Sequence, residues 1–248
     1  MDEYEVEPWY REWFNSPFYH KLYCNRNEDE ARNFIRKIVE KLNLPDGAEV
    51  LDLACGKGRH ALTLSENNFN VTGVDLSFES IAEAKKNQKA NLHFFVHDMR
   101  IPFAKKRFNC VFNLFTSFGY FESPADNLKT LNAVTESLKK NGLFVQDFFN
   151  SNKVIRTLVP HEKKPSQGTD FYITRVMRGR YLYKDINLVD DEGRLCHFRE
   201  IVEAISQEEF KDLYKKAKLG MLEIYGSYDL EPFDIDNSDR LIMVSKKL

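Results

Sequence analysis

Between residues 49 and 149, short apolar runs alternate with amphipathic stretches. The runs at 49–53, 70–75, 92–96, 108–114 and 142–149 are almost continuously apolar, the pattern of strands covered on both faces of a parallel sheet. The stretches 58–67, 78–88 and 124–139 predict helices, and Lys139-Lys140-Asn141-Gly142 is expected to close the last with basic residues and a glycine stop. Upstream, Asn27-Glu28-Asp29-Glu30 opens a helix running to about Asn43, with Ala31, Phe34, Ile35, Ile38, Val39 and Leu42 on one stripe. Right-handed crossovers place the strand C-terminal ends on one edge, where ligands of open α/β sheets bind. Asp52, Asp75, Asp98 and Phe115 all map to that edge.

The pattern changes near residue 160. Residues 160–168 read as a polar loop, followed by β-like runs at 170–178, 180–189 and 195–205, the last two joined by the turn Asp190-Asp191-Glu192-Gly193. Ser206-Gln207-Glu208-Glu209 is a capping box for a helix over 207–218, with Gly220 as its stop. Strands at 222–228 and 240–246 then pair antiparallel, since no helix separates them. The expected fold is α/β: a doubly wound, mostly parallel seven-stranded sheet with an antiparallel terminal pair, plus a small antiparallel β insertion. Its core spans residues 27–159 and 206–248, and the insertion spans 160–205. Residues 9–23 hold Trp9, Tyr10, Trp13, Phe14, Phe18, Tyr19 and Tyr23 without clear periodicity. Residues 1–26 therefore read either as a segment packing its rings on the domain or as a lid lending the polar tips of Tyr19, His20, Tyr23 and Arg26 to a site.

Composition narrows the function classes. With 36 Lys and Arg against 38 Asp and Glu, and only Lys105-Lys106-Arg107 as a basic run, the chain offers little to a nucleic-acid backbone. No run reaches the ~18 apolar residues of a membrane span, and the acidic start lacks a signal-peptide pattern, so a cytoplasmic protein is expected. Cys24, Cys55, Cys110 and Cys196 lack metal-ligand spacing and read as reduced thiols.

The chemistry concentrates in Val50-Leu51-Asp52-Leu53-Ala54-Cys55-Gly56-Lys57-Gly58-Arg59-His60, where an apolar strand runs into two glycines that let backbone N–H groups approach a ligand. Nineteen residues beyond Gly56, a second strand ends on Asp75, placed to accept from both ribose hydroxyls of a nucleoside. Gly56-Lys57-Gly58-Arg59-His60-Ala61 also fits a dinucleotide loop, so NAD competes with S-adenosylmethionine. Three features favour the latter: Asp52 four residues before Gly56, suited to a cation; His97-Asp98-Met99-Arg100, offering an acid and a thioether to an adenine; and the terminal antiparallel pair.

Through Asp52–Gly58, Val74-Asp75-Leu76-Ser77, His97–Arg100 and Asn113-Leu114-Phe115-Thr116-Ser117-Phe118-Gly119-Tyr120-Phe121, the chain resembles the class I S-adenosylmethionine-dependent methyltransferases. Ala54 departs from the glycine usual there. The resemblance implies that Ala54, Cys55, Gly56 and Gly58 cradle the methionine part, Asp52 orients its ammonium directly or through water, and Asp75 holds the ribose. Leu76 and Met99 would sandwich the adenine, Asp98 accept from its amine, and Phe115 and Tyr23 complete the cofactor site. Tyr120 is the expected catalytic residue, orienting an amine or hydroxyl; His20, His60, His97 and Asp147 are the other candidate bases.

The Asn/Asp-Pro-Pro-Tyr/Phe sequence of many nucleic-acid and protein amide methyltransferases is absent after the fourth strand. Thr116-Ser117-Phe118-Gly119-Tyr120 resembles small-molecule enzymes, sugar-amine N-methyltransferases among them, and implies a small-molecule N or O acceptor and a monomer or homodimer. Tyr172, Arg175, Arg178, Tyr181, Tyr183 and Arg199 on the inserted strands either meet that substrate or form the wet face of a sheet. An NAD-dependent oxidoreductase and an inactive cofactor-binding module are the alternative functions.

Overall fold

The structure, a computed structural model, describes residues 9–23 and 28–248. Arg26, Cys24 and the Asn27 start of the predicted helix lie outside the described residues. The helices are α1 (Trp9–Asn15), α2 (Pro17–Leu22), α3 (Glu28–Leu42), α4 (Arg59–Glu66), α5 (Phe78–Ala84), α6 (Pro124–Ser137), α7 (Ser151–Arg156) and α8 (Gln207–Lys216). The strands are β1 (Glu49–Leu53), β2 (Asn70–Asp75), β3 (Leu92–Val96), β4 (Phe108–Asn113), β5 (Leu138–Phe149), β6 (His161–Ser166), β7 (Thr169–Arg178), β8 (Tyr181–Val189), β9 (Leu195–Glu203), β10 (Leu219–Tyr225) and β11 (Arg240–Lys247).

Seven strands form one sheet in the order β10-β11-β5-β4-β1-β2-β3, in which β11 runs antiparallel to both of its neighbours. Both faces are apolar because both are covered. Ile35, Ile38, Leu64 and Ile81 close one face over Val50 and Val71, while Leu131, Phe210 and Tyr214 close the other over Leu51, Val111 and Phe144. The second sheet is antiparallel, in the order β6-β7-β8-β9. Its inner side, Phe171, Ile173, Ile186 and Leu188, packs with Trp13 and Leu22 of the first two helices.

Three expectations are corrected. Residues 161–166 form an edge strand rather than a loop, and their Glu, two Lys and Pro are residues with which exposed edges resist further pairing. α6 ends at Ser137, not at the basic run: Leu138 is fully buried and pairs with Phe108, which draws Lys139 and Lys140 into β5. Lys218, at φ 59°, makes the turn after α8, while Gly220 lies inside β10. The aromatic segment is two short helices, broken where Ser16 Oγ caps Phe18 N–H ahead of Pro17. Helices of seven and six residues are too short to display a stripe.

Candidate active site

The β1–α4 loop leaves the sheet edge through Ala54 at φ 62°, Gly56 at 55° and Gly58 at 82°. Left-handed backbone strains an alanine by about 1 kcal/mol, and here it turns the loop sharply enough for Cys55 N–H to reach the Val74 carbonyl at 2.9 Å. Gly58 is required twice over: a Cβ there would lie 2.6 Å from the Phe94 ring as well as on left-handed backbone.

A cavity of about 1050 Å³ opens above the strand ends. Ala54, Cys55, Gly56, Asp75 and Leu76 line it from β1 and β2, and Asp98, Met99, Phe115 and Tyr120 from the loops after β3 and β4. Phe14 of α1, Tyr19 of α2 and Tyr23 just after it line it from the N-terminal side, and Leu182, Glu200 and Val202 from the inserted sheet. Two expected cofactor residues stand behind the wall. Gly58 packs on Phe94, and Asp52 lies within the sheet, in register with Gly73 on one side and Phe112 on the other.

Asp52 is 1% exposed and its Oδ2 has no hydrogen-bond partner. Burial pushes its pKa up to about 7; the Ala61 N–H opposes this, the Asp75 charge adds to it and Arg59 opposes it. Asp75 accepts from Gly56 N–H and Ser77 N–H, each at 2.8 Å, cross-bracing the two turns. Burial raises its pKa too, against those hydrogen bonds. Burial pushes Asp98 up, but Arg100 outweighs this with bonds of 2.6–3.1 Å and holds it below its ordinary value. Arg100 in turn reaches Asp126 at 2.9 Å, which fixes the loop after β3.

The loop after β4 is the most strained part of the site. Phe115 and Thr116 both sit at φ 60°, each at a cost of about 1 kcal/mol or more, greater still for a β-branched threonine. Farther along, the Gly119 carbonyl accepts from Glu203 N–H at 2.8 Å, which ties this loop to β9 beside Tyr120. The Tyr120 ring meets Trp9 and Phe14 edge-on at 5.5 Å, so the ring packed under α1 is also a wall of the cavity.

Helices α1 and α2 are tied down at several places, among them Ser166 Oγ, which donates to the Lys21 carbonyl at 2.7 Å. Trp13 Nε1 and Tyr23 Oη both donate to Glu200 Oε1 at 2.7 Å, and Ser77 Oγ donates to Asn15 Oδ1 at 2.5 Å. Glu200 is pushed up by burial, but Lys184 at 3.3 Å and the Tyr23 and Trp13 donors leave it below the usual carboxylate range.

The other base candidates separate. Asp147 is fully buried and accepts from Arg240, Tyr228 and Phe115 N–H. His97 Nε2 bonds the Ile101 carbonyl at 2.8 Å, and His60 is buried against Phe115. His20 lines the cavity with its pKa lowered to about 4, by burial first and then by Lys57.

None of the six inserted-strand residues, read either as substrate contacts or as the wet face of a sheet, lines the cavity. Strand parity explains most of this: Tyr172, Arg178, Tyr181, Tyr183 and Arg199 share the face opposite Leu182, Glu200 and Val202. Arg175 has the inner parity, but Glu162 holds it at 2.6 Å. Glu200 and Arg240 are cavity residues that the sequence reading missed. The signal available was a charge within an alternating strand for Glu200, and one opening an apolar strand for Arg240.

The fold, the glycine loop and the acid behind it define a nucleoside-binding α/β enzyme. Residues 50–142 match the Methyltransferase domain family. The chain is 31% identical to glycine/sarcosine N-methyltransferase of Aphanothece halophytica over 233 residues, 90% of this chain and 83% of that protein. It is 35% identical to the putative methyltransferase YqeM of Bacillus subtilis over 45% of this chain; the match spans about half of that relative's length (47%), and 57% of a putative methyltransferase of Geobacillus. A methyltransferase structure from Clostridium acetobutylicum superposes with a TM-score of 0.80 at 22% identity, over 93% of this chain and 96% of that one. S-adenosylmethionine-bound CalS10, an amino pentose methyltransferase from Micromonospora echinaspora, gives 0.70 at 19% identity, over 94% and 98%. This chain belongs to the class I S-adenosylmethionine-dependent methyltransferases.

Membership removes the NAD reading, and S-adenosylmethionine is the cofactor. The site suits it: three left-handed residues open the loop, and two residues upstream of them lies a buried carboxylate with an unpartnered oxygen, complementary to an ammonium. Among the described residues no helix is long and apolar enough to cross a membrane.

Proposed function

We propose that this chain methylates the nitrogen of a small-molecule amine. The observation that carries this reading is the roof of the cavity: two aromatic helices and the inner face of the inserted sheet enclose the acceptor side. That shape suits a small molecule rather than a polymer.

S-adenosylmethionine supplies an activated methyl group on a sulfonium. What remains for the chain is to align the acceptor and exclude water. Ala54, Cys55 and Gly56 would receive the methionine part, with Asp52 supplying negative charge from behind. Asp75 would hold the ribose, and Leu76, Asp98 and Met99 the adenine. Phe115 and Tyr23 would close over the donor, and Tyr120 would orient the acceptor.

Nitrogen is preferred over oxygen because an uncharged amine is already a nucleophile, whereas an alcohol needs a base. Asp147 and His97 are engaged in hydrogen bonds, and His20, with its pKa near 4, is a weak base. The names of the Aphanothece relative and of CalS10 both describe methyl transfer to amines or amino compounds, which supports the same class.

The test incubates the purified protein with S-adenosylmethionine and matched panels of small amines and alcohols, with methylated products read by mass spectrometry. Products from amines alone are expected. Products from alcohols alone overturn the nitrogen assignment, and donor binding without any product supports an inactive binding module instead.

A further inference from the structure

We infer that Arg240 and Asp147 are positioning residues for methyl transfer, holding Phe115 and Thr116 in a backbone conformation that neither residue adopts readily alone. This assignment rests on the donor placement proposed above. Two consecutive non-glycine residues at φ 60° are kept there by bonds that converge on one buried pair. Phe115 N–H donates to Asp147 Oδ2 at 2.9 Å, and Thr116 N–H to the Asp147 carbonyl at 3.0 Å. Arg240 Nε donates to Asp147 Oδ1 at 2.7 Å while its Nη2 donates to Thr116 Oγ1 at 3.0 Å. Tyr228 Oη donates to Asp147 Oδ2 at 3.1 Å, and its ring stacks on Phe115 at 5.5 Å.

The placement of the pair follows from the sheet. Asp147 faces Ile242, and Arg240 faces Phe149, so the two charges are diagonal neighbours on β5 and β11. Asp147 is fully buried, whereas Arg240, Phe115 and Thr116 line the cavity. Arg59 lies over the Phe115 ring at 4.0 Å, so the aromatic side chain is gripped as well as its backbone. An ion pair that served stability alone would need no contact with the strained loop. Here both partners bond to it, and the loop lines the cavity, between the donor loop and Tyr120 in sequence.

The role differs from that of a stabilising ion pair in one testable respect: it is needed because Thr116 resists left-handed backbone, and glycine does not resist it. Arg240→Lys keeps the charge opposite Asp147 but loses the forked reach to Thr116. S-adenosylhomocysteine titrated by calorimetry into the whole protein is expected to bind Arg240→Lys about tenfold more weakly than wild type. Adding Thr116→Gly is expected to restore the affinity to within about threefold. Thr116→Val, which removes only the Oγ1 acceptor, is expected to weaken binding about threefold, and it keeps the inference testable where Arg240→Lys does not fold.

Undiminished binding in Arg240→Lys or Thr116→Val overturns the inference, as does a double variant no better than Arg240→Lys. Wild type that binds no S-adenosylhomocysteine overturns the donor placement, and this inference with it.

Discussion

With Asp52 placed behind the donor as proposed, donor binding is expected to depend on pH. The Asp52 carboxyl is buried and raised to about 7, so the free protein at pH 6 carries it mostly protonated. A ligand ammonium favours the ionised form. In the limit where only that form binds, the dissociation constant of S-adenosylhomocysteine at pH 6 is about tenfold that at pH 8. About 0.9 proton is then released on binding at pH 6 and about 0.1 at pH 8. Calorimetry in buffers of different ionisation enthalpy measures both quantities.

The same residue has an opposite effect on stability. Between about pH 4 and pH 7 the folded chain keeps a proton that the unfolded chain releases, so stability falls as pH rises through that window. The loss reaches about 4 kcal/mol by pH 8. Asp52→Asn is therefore expected to melt higher than ligand-free wild type at pH 8, with the gap closing towards pH 4, while binding S-adenosylhomocysteine more weakly. A pH-independent affinity with no proton release, together with an Asp52→Asn variant that melts no higher at pH 8, would refute the reasoning.

Ala54→Gly relieves the left-handed alanine at φ 62° and is expected to gain about 1 kcal/mol, raising the melting temperature by about 2–4 °C; a lower melting temperature contradicts this. Gly58→Ala combines left-handed backbone with a Cβ 2.6 Å from Phe94, and is expected to lose at least about 2 kcal/mol in denaturant titration; wild-type stability would show that the loop relaxes at no cost. Glu200→Gln weakens the shared acceptor of Trp13 and Tyr23, and hydrogen exchange across residues 9–22 is expected to quicken about tenfold. Unchanged exchange there means that contacts other than these two bonds seat α1 and α2.

The large sheet was legible because its strands are buried on both faces, which writes β1, β2 and β4 as apolar runs. β6 was not legible, since an edge strand needs no apolar side, and the short α7 carries too few turns to show a period. In the site, Asp75 and Asp98 were readable from local spacing, and Ala54 only through the family resemblance. The Asp147–Arg240 pair joins residues 93 apart, a distance no motif spans. A clue existed even so: an acid inside Leu143–Phe149 and a cation opening Leu241–Val244 place opposite charges in two apolar runs, and such charges fold only by meeting. The inserted-strand arginines and tyrosines stayed open between substrate contact and wet face for the converse reason, since composition alone does not reveal which parity faces inward.

β11 lies between β5 and β10 in the sheet, although it follows both in the sequence. On the ribosome the loop and acids of β1 to β3 emerge early, but Asp147 waits for Arg240, 93 residues later in the chain. A nascent chain stopped before residue 240 therefore carries the donor loop without the pair that shapes the reacting end, and the open edge of β5 offers itself to other strands. By the inference above, shaping of the loop after β4 waits for Arg240, and chaperone protection has most to offer the open β5 edge in the interval before that residue arrives.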